Sequence, residues 1–290
     1  MSEAGKELLL EIGTEEIPAM FMVGALDSLK ELAAKHLKLE RIDHGEITTC
    51  GTPRRIALRV VGLEERQSDK VFERTGPSVN VAYDEDGRPT KAAMGFAKGQ
   101  GVAVEGLETK ETEKGHYICV RKKEKGADTK ARLPELLSSI LQEIPFRKSM
   151  RWGDNDLRFA RPVHWITSLY GGETVTFEFA GVTSGNLTRG HRFHAPGGVE
   201  VDDFEGYRKA LREACVVVDH EARRAQILEE SDALAREVGG LIRTDEELLT
   251  TVVFLVELPV VNRGSFDAEF LALPPEILVA AMRALLLYPR

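Results

Sequence analysis

The feature that most constrains the fold is a pair of apolar segments, VHWITSLY (163–170) and ETVTFEF (173–179), joined by Gly171-Gly172. Two glycines between such segments are a strong hairpin signal, because the tight turn needs backbone angles that glycine adopts without strain. The segment ELLLEIG (7–13) is a short apolar run that ends at a glycine and predicts a buried strand. An antiparallel pair of strands argues against a regular alternation of parallel strands and helices.

The remainder of the first 145 residues mixes both kinds of element. Thr14 is predicted to cap a helix that contains Pro18 and runs to about residue 38. Residues 46–66 predict two strands that meet at Gly51-Thr52-Pro53, where the proline removes a hydrogen-bond donor. Residues 67–90 are polar and are predicted to form a loop. The pattern then predicts a short helix over 90–101, a hairpin over 107–126 and an amphipathic helix over 128–143.

The pattern beyond residue 200 is mainly helical. Helices are predicted over 203–214, 219–238, 245–257 and from 273 onward, with a short strand at CVVVD (215–219). The last helix carries an apolar stripe over 274–287, which we expect to pack on the 245–257 helix or to self-associate. The predicted fold class is therefore α+β. A mixed strand/helix body with hairpins spans 1–195, with 67–144 as a candidate inserted excursion, and a mainly helical C-terminal part follows over 200–290.

Composition excludes several classes of protein. The 290 residues carry a formal net charge of −8, which argues against polyanion binding by the whole surface but allows a local basic patch. Cys50, Cys119 and Cys215 are odd in number and far apart, so they fit neither a disulfide framework nor a zinc pattern. The N-terminus lacks the pattern of a signal peptide, and no apolar run approaches the roughly 18 residues of a membrane span. We therefore expect a cytoplasmic protein.

A strip rich in cationic and aromatic residues stands out in this acidic chain. The segment KSMRWGDNDLRFARPVHWI (148–166) holds both tryptophans, and residues 147–192 carry seven Lys and Arg against four Asp and Glu. Guanidinium groups bind phosphates through paired hydrogen bonds and indole rings stack on bases, so the strip suits RNA. The alternative is structural: Arg158 and Arg161 would pair with Asp154 and Asp156, while Trp165 packs in the core.

Two further pairs of residues could belong to the same surface. Arg54 and Arg55 follow a proline turn, and strand alternation would send them to opposite faces, so that at most one contacts a given ligand. His191 and His194 suit an anion contact or a turn better than a metal site, because no cysteine or carboxylate lies beside them. A solvated strand start remains the alternative for the arginines.

Catalytic signals are weak. Glu15 and Glu16 stand at a strand–helix junction, where acidic residues also complement the helix dipole. With His164 and His191 they could form the acid/base cluster of a small-molecule enzyme. Motifs for dinucleotides, P-loop phosphates, serine hydrolases and zinc proteases are absent from the sequence. The residues alone therefore indicate an α+β protein with a local cationic–aromatic strip, with no assignable catalytic residue and no metal site.

Six longer blocks of sequence say more than composition: LLLEIGTEEIP (8–18), GTPRRIALRV (51–60), RTGPSVNVAYDEDGRPTKAAMGFAKG (74–99), PFRKSMRWGDNDLRFARPVHWI (145–166), TRGHRFHAPG (188–197) and GSFDAEFLALPPEIL (264–278). In this order they resemble the beta subunit of bacterial glycyl-tRNA synthetase, from residue 8 to about 283. The resemblance implies the tRNA-binding partner of a separate catalytic alpha subunit, in a heterotetramer that joins glycine to its tRNA with ATP. It places the class II active site on the alpha chain, so this chain is expected to bind neither ATP nor glycine itself.

The residues expected to contact tRNA or the alpha subunit are those of the strip and its neighbours: Arg54, Arg55, Arg151, Trp152, Arg158, Arg161, His164, Arg189, His191 and Arg192. The alternatives are a protein–protein module that docks the alpha subunit without contacting RNA, and the small-molecule acid/base enzyme. Neither a membrane nor DNA is expected as a partner.

The chain departs from the family pattern in three respects. The family's beta subunit is more than twice as long and carries its anticodon-binding region near its C-terminus. The resemblance therefore covers only the N-terminal part, which is expected to be inactive alone. After Met282 the residues depart from the usual pattern, and we expect an artificial boundary, a frameshift or added residues there. Leu258 stands where the family often has tryptophan.

Overall fold

The computed structural model describes residues 5–113, 115–154 and 156–287, with side chains up to residue 283. The chain divides into two units: the larger contains residues 1–65 and 128–290, and the smaller contains residues 66–127. This grouping keeps the 128–143 helix in the larger unit. The predicted division near residues 195–200 and the inserted excursion over 67–144 stay predictions.

The larger unit begins with β1 (Lys6–Thr14), α1 (Ala19–Leu39), β2 (Ile47–Thr52) and β3 (Arg55–Leu63). The smaller unit contains β4 (Lys70–Ser78), α2 (Val79–Ala82), α3 (Lys91–Gln100), a 3-10 helix (Val104–Gly106), β5 (Glu108–Thr112) and β6 (Gly115–Glu124). The chain then returns to the larger unit with α4 (Thr129–Glu143), β7 (Val163–Tyr170), β8 (Glu173–Thr174), β9 (Glu178–Phe179), β10 (Val182–Thr183), β11 (Leu187–Arg189) and β12 (Gly198–Glu200). The last elements are α5 (Phe204–Glu213), α6 (His220–Glu237), α7 (Glu246–Val253), a 3-10 helix (Ala268–Ala272) and α8 (Pro275–Leu287).

The larger unit is built on a five-stranded antiparallel sheet in the order β2-β3-β1-β7-β8. The central strand is β1, in which Ile12 lies opposite Ile56 of β3 on one side and Ile166 of β7 on the other. The short apolar run ELLLEIG therefore forms a buried strand, as predicted. The α+β fold class is confirmed.

Both faces of the central strand are covered, which explains its almost uninterrupted burial. Leu8, Leu10 and Ile12 pack in the core formed with α1 and α4. Leu9, on the opposite face, packs with α5 and with the buried valines that follow it. Because side chains alternate along a strand, Glu11 points to the same covered face as Leu9. A carboxylate therefore lies inside the protein.

The predicted hairpin at Gly171-Gly172 is confirmed, since Leu169 pairs with Thr174 and Tyr170 with Glu173. Its second strand is shorter than predicted, because residues 173–179 form two strands of two residues each. The predicted strand pair over 46–66, the 107–126 hairpin and the helices over 90–101, 128–143, 203–214 and 219–238 are also confirmed. The helix predicted over 245–257 ends earlier, at Val253.

Three local predictions are wrong. Thr14 does not cap α1, whose N-cap position is Pro18 and has no side-chain cap; the Thr14 hydroxyl donates to the Glu15 carbonyl instead. The polar stretch 67–90 contains β4, because cross-strand pairing with β6 overrides its low apolar content. The three valines of the CVVVD segment are buried, but the segment is not a strand. It follows α5, and Val217 donates a single backbone hydrogen bond to Glu257.

The smaller unit is a three-stranded antiparallel sheet in the order β4-β6-β5, with α2 and α3. Its core is small and contains Ala82, Ala93 and Ile118. Thr90 caps α3, and Gly101 ends that helix in the left-handed conformation, as the glycines there predict.

The last helix, α8, contacts α7 in the larger unit. Arg283 forms ion pairs with Asp245 at 3.3 Å and with Glu247 at 2.6 Å. Ile277 and Val279 are exposed, while the side chains of residues 284–287 in the predicted apolar stripe lie outside the described residues. None of the helices in the described part of the chain combines the length and the apolar character needed to cross a membrane.

Two glycines make a matched test of this packing. A Cβ on Gly13 would lie 1.9 Å from a ring carbon of Trp165, whereas a Cβ on Gly24 in α1 meets no atom within 4 Å. We expect Gly13→Ala to lower the free energy of unfolding by about 1–3 kcal/mol or more through overpacking. Gly24→Ala should raise it by about 0.5–1 kcal/mol, because alanine favours the helix. Urea unfolding followed by tryptophan fluorescence measures both, and a wild-type midpoint for Gly13→Ala would contradict the packing.

Candidate functional site

The centre of the larger unit is a buried carboxylate, Glu11 of β1. Its Oε1 accepts hydrogen bonds from Arg55 Nη1 and Tyr207 Oη, both at 3.2 Å. Its Oε2 lies 3.0 Å from Trp165 Nε1, which donates to it, and 3.0 Å from Thr167 Oγ1, whose one proton is shared with the Leu187 carbonyl at 2.7 Å. Four donors on three different elements therefore satisfy a charge that has no contact with solvent.

Arg55 joins this carboxylate to a second one. Its Nε donates to Glu257 Oε1 at 3.0 Å, and its Nη1 also donates to the Arg189 carbonyl at 2.7 Å. Thr52 Oγ1 donates to the same Glu257 oxygen at 2.6 Å. Burial lowers the pKa of Arg55, but Glu11 and Glu257 outweigh it and leave the pKa raised, so the guanidinium stays charged.

A second buried guanidinium belongs to Arg223 in α6. It donates to the carbonyls of Gly51, Val217, Val218 and Val253. Burial lowers its pKa to about 10, which still leaves it charged at neutral pH. Arg223 therefore ties α6 to the end of β2 and to the C-terminal end of α7. We call Glu11, Arg55, Glu257 and Arg223 the buried charge network.

Trp165 lies directly beside this network, since its indole N–H donates to Glu11. Its ring is almost fully buried, and the guanidinium carbons of Arg54, Arg55 and Arg189 lie 5.4–5.7 Å from its centroid. Core packing, which was the alternative for Trp165, is therefore what the structure has, and this ring is not free to stack on a base. Arg54 and Arg55 both approach the ring. Arg54 belongs to the turn before β3, so strand alternation does not apply to it.

Removing the cation from the network tests its electrostatic role. We expect Arg55→Ala to lower the free energy of unfolding by about 3–5 kcal/mol, because Glu11 and Glu257 would be left buried without a counter-charge. The deficit should shrink as the pH falls, because protonation removes the buried charge that has lost its counter-ion. Arg132→Ala, which removes a half-exposed ion pair with Glu40, is the control and should change stability little. An Arg55→Ala deficit that is small, or independent of pH, would contradict the assignment.

At the surface, residues from three elements form what we call the rim cluster: Glu15, Glu16, Arg161, His164 and Arg192. Arg192 Nη2 lies 3.1 Å from Glu15 Oε2, and its Nη1 lies 2.9 Å from Glu16 Oε1. His164 Nε2 lies 3.1 Å from Glu15 Oε1. Arg161 Nε donates to the Glu16 backbone carbonyl at 3.0 Å. The cluster joins the β1–α1 junction to the start of β7 and to the turn after β11.

The acidic and basic side chains of the rim cluster pair with one another. Burial raises the pKa of Glu15, but Arg192, His164 and Arg54 together outweigh it and leave the pKa lowered. Glu15 is therefore an ionised partner of Arg192 at neutral pH. A general base works best with a pKa near the operating pH, so this arrangement gives little support to the small-molecule acid/base alternative. In the described part of the chain, no group of three or more His, Cys, Asp and Glu side chains could hold a metal ion.

The pKa of Glu15 gives a direct test of this geometry. Arg192→Ala should raise the pKa of Glu15, because the largest opposing charge is removed. In the wild type the carboxylate contributes stability at neutral pH that is lost as the pH falls through its lowered pKa. Carboxyl-carbon NMR titration measures the shift. Arg151→Ala, which removes a cation that lies near Asp156, is the control. An unchanged Glu15 pKa in Arg192→Ala would show that the pair does not form in solution.

The segment before β7 carries the other predicted residues. The Arg151 side chain is 58 % exposed and lies 3.7 Å from Asp156, whereas Arg158 donates to the hydroxyl and the carbonyl of Ser149. Trp152 is partly buried against the larger core. Arg147 and Lys148 are exposed and form no ion pair with any described residue. This segment therefore presents free cations, as the strip predicts, but no fully exposed indole.

The turn between β11 and β12, residues 190–197, completes the surface. His191 Nδ1 accepts hydrogen bonds from the backbone N–H groups of Phe193 and His194, both at 3.3 Å. Burial is the main reason that the pKa of His191 is lowered, so its ring stays neutral and can accept. Arg189 is exposed and has no ion pair within the described residues. His191 thus shapes the turn, while Arg189 remains available.

The structure thus divides the ten predicted residues. Arg54 and Arg55 are both buried. Five of the others lie in or beside the rim cluster and the 190–197 turn: Arg161, His164, Arg189, His191 and Arg192. A separate segment carries Arg151, Trp152 and Arg158. Sequence reasoning missed Glu11, Glu257 and Arg223. A charged residue inside the apolar run ELLLEIG is the one local signal that could have found Glu11.

The chain is similar to known proteins over most of its length. The family described as "Glycyl-tRNA synthetase beta subunit" matches residues 8–286. The chain belongs to this family. It is 47 % identical to the glycine–tRNA ligase beta subunit of Syntrophus aciditrophicus over 276 residues, and 48 % identical to that of Trichlorobacter lovleyi over 279 residues. These matches cover 95 % and 96 % of the chain but 40 % and 41 % of the relatives, so the chain spans about two fifths of their length.

Four of the sequence blocks that carry the family resemblance meet at this site. The block at 8–18 supplies Glu11 and the two rim carboxylates, and the block at 51–60 supplies Arg54 and Arg55. The block at 145–166 supplies Trp165, and the block at 188–197 forms the turn with Arg192. These four segments therefore converge in space although they lie far apart in the chain.

Proposed function

We propose that this chain is the N-terminal part of the beta subunit of a heterotetrameric glycine–tRNA ligase. In complex with a separate alpha subunit it would support the ATP-dependent attachment of glycine to tRNA. The observation that carries the proposal is the family match over residues 8–286, with about 47 % identity to curated beta subunits. The described cysteines are unpaired, which fits a reducing cytoplasm.

Catalysis is assigned to the alpha subunit, and no cofactor is assigned to this chain. The candidate acid/base groups on the surface are held in ion pairs, Glu11 accepts hydrogen bonds at both oxygens, and Glu257 accepts them at Oε1. ATP and glycine are then substrates of the complex. The role left to this chain is to bind and position tRNA and the alpha subunit.

The binding surface is assigned to the exposed cations. Arg147, Lys148, Arg151 and Arg189 are exposed, and Arg151 has only a distant partner at 3.7 Å. Such side chains neutralise phosphates and release counterions, which makes binding salt-dependent. Docking of the alpha subunit on the same cations is the alternative, because an acidic protein face would use the same charges.

The first test is enzymatic. The purified chain alone should show no glycine-dependent ATP–pyrophosphate exchange, whereas the complete alpha–beta complex should show it. Exchange by the chain alone would place an active site here and would contradict the assignment of catalysis to the alpha subunit.

The second test determines whether the exposed cations bind tRNA or the alpha subunit. Arg151→Ala and Arg189→Ala should each weaken binding of a glycine tRNA transcript and lower the slope of log K against log salt by about 0.9, as expected for one lost phosphate contact. Arg132→Ala in α4 is the matched control, because its cation is already paired with Glu40. Pull-down with the alpha subunit is run on the same variants. Weakened capture of the alpha subunit together with unchanged RNA binding would favour the protein-docking alternative.

A further inference from the structure

Phe193 is the most exposed of the aromatic side chains in the described residues, and it packs in none of the three apolar clusters. Phe193, at the tip of the 190–197 turn, is 79 % exposed. Burial of a phenylalanine side chain stabilises a folded protein, so leaving this ring in water forgoes that stabilisation. The side chain contributes little to the core, which raises the question of what it contacts.

The turn holds this ring in a defined position. The backbone N–H of Phe193 donates to His191 Nδ1, and that of Ala195 donates to the His191 carbonyl at 3.0 Å. The His191 N–H donates to the Ala214 carbonyl at 2.9 Å, which anchors the turn to the end of α5. A Cβ on Gly190 would lie 2.4 Å from the Ala195 carbonyl oxygen, so the close approach of the two arms requires glycine. A ring on such a turn is preorganised, and little conformational entropy is lost when it binds.

The surroundings of the ring are cationic and polar. The Arg192 guanidinium carbon lies 5.7 Å from the Phe193 ring centroid and is held in place by Glu15 and Glu16. The rings of His191 and His194 lie 4.6 Å apart, and the His191 ring lies 6.1 Å from Phe193. The same hairpin carries the unpaired cation of Arg189.

This setting favours a nucleobase over a protein side chain. Aromatic residues that anchor protein–protein contacts lie at the centre of well-packed patches from which charged residues are depleted. Proteins that bind single-stranded nucleic acid instead combine an exposed aromatic ring with cations that follow the backbone. Phe193 has the second kind of environment.

We infer that Phe193 stacks on an unpaired base of bound tRNA, while Arg189 contacts an adjoining phosphate. The inference rests on the proposed function, since it assumes that the chain meets RNA. Single-stranded ends and loops present such bases, because their bases are not locked in a duplex.

The experiment compares three variants of the chain. Phe193→Ala removes the ring, Phe193→Trp keeps a stacking surface, and Leu187→Ala is the control, because Leu187 is also an exposed apolar side chain on the same hairpin. Affinity is measured by fluorescence anisotropy with a fluorescein-labelled glycine tRNA transcript. Transcripts that carry 2-aminopurine at single unpaired positions report stacking through quenching of their fluorescence.

We expect Phe193→Ala to weaken binding roughly 5- to 150-fold, the range for loss of one base–aromatic stack, and to abolish quenching at one unpaired position. Phe193→Trp should restore both signals, and Leu187→Ala should bind within about twofold of wild type, since it removes no stacking surface. Thermal midpoints check that all three variants fold.

The possible failures can be told apart. If the wild-type chain binds the transcript and Phe193→Ala binds it equally well with unchanged quenching, the stacking inference is wrong while RNA binding stands. If the wild-type chain does not bind the transcript, the RNA part of the proposed function is wrong as well. If Phe193→Ala loses capture of the alpha subunit but keeps its RNA affinity, the ring is a protein contact and the inference is overturned.

Discussion

The structure depends on the ion pair between Glu11 and Arg55 and on the second carboxylate, Glu257, that shares the same guanidinium. Apolar side chains in a core accept many neighbours of suitable volume, but a buried carboxylate is stable only where donors reach it with good geometry. Glu11 therefore requires the indole of β7, the phenol of α5 and the guanidinium of β3 to meet at one point. A hydrophobic replacement of similar volume could be as stable, so we interpret the network as a device that specifies one arrangement of these elements.

The surface site rests on this interior. The indole of Trp165 donates to Glu11 at one edge, while three guanidinium groups surround its ring. Arg55 holds the carbonyl of Arg189, and thereby places β11 and the turn that follows it. The rim ion pairs then connect that turn to the β1–α1 junction. The positions of Arg189 and of Phe193 thus follow from a charge arrangement that lies almost wholly inside the protein.

The division between what could and could not be predicted from the sequence has a physical origin. Hydrophobic periodicity, turn glycines and helix caps are local signals, so β1, the Gly171-Gly172 hairpin and most helices were predictable. The 215–219 segment was misread because valines favour both a strand and any buried extended segment. Arg55 pairs with Glu257, which lies 202 residues away in the sequence, and the pattern of neighbouring residues carries no information about such a distant partner. The ten candidate residues were likewise chosen by type, and only their environments separate a buried arginine from an exposed one.

The acidic character of the chain does not oppose an RNA-binding surface, because charge acts over a limited distance. At physiological ionic strength the field of a charge is screened over about 8 Å, so most of the net charge of −8 is not felt at the strip. What a phosphate meets there is set by the nearest groups: Arg151 with a distant partner, Arg189 without a carboxylate partner among the described residues, and Arg192 already neutralised by two glutamates. The ion-paired rim cluster then serves to hold the turn, while the free cations and the exposed ring make contact. A surface built in this way gains specificity from geometry, since only RNA that brings a phosphate and an unpaired base to the same place engages both.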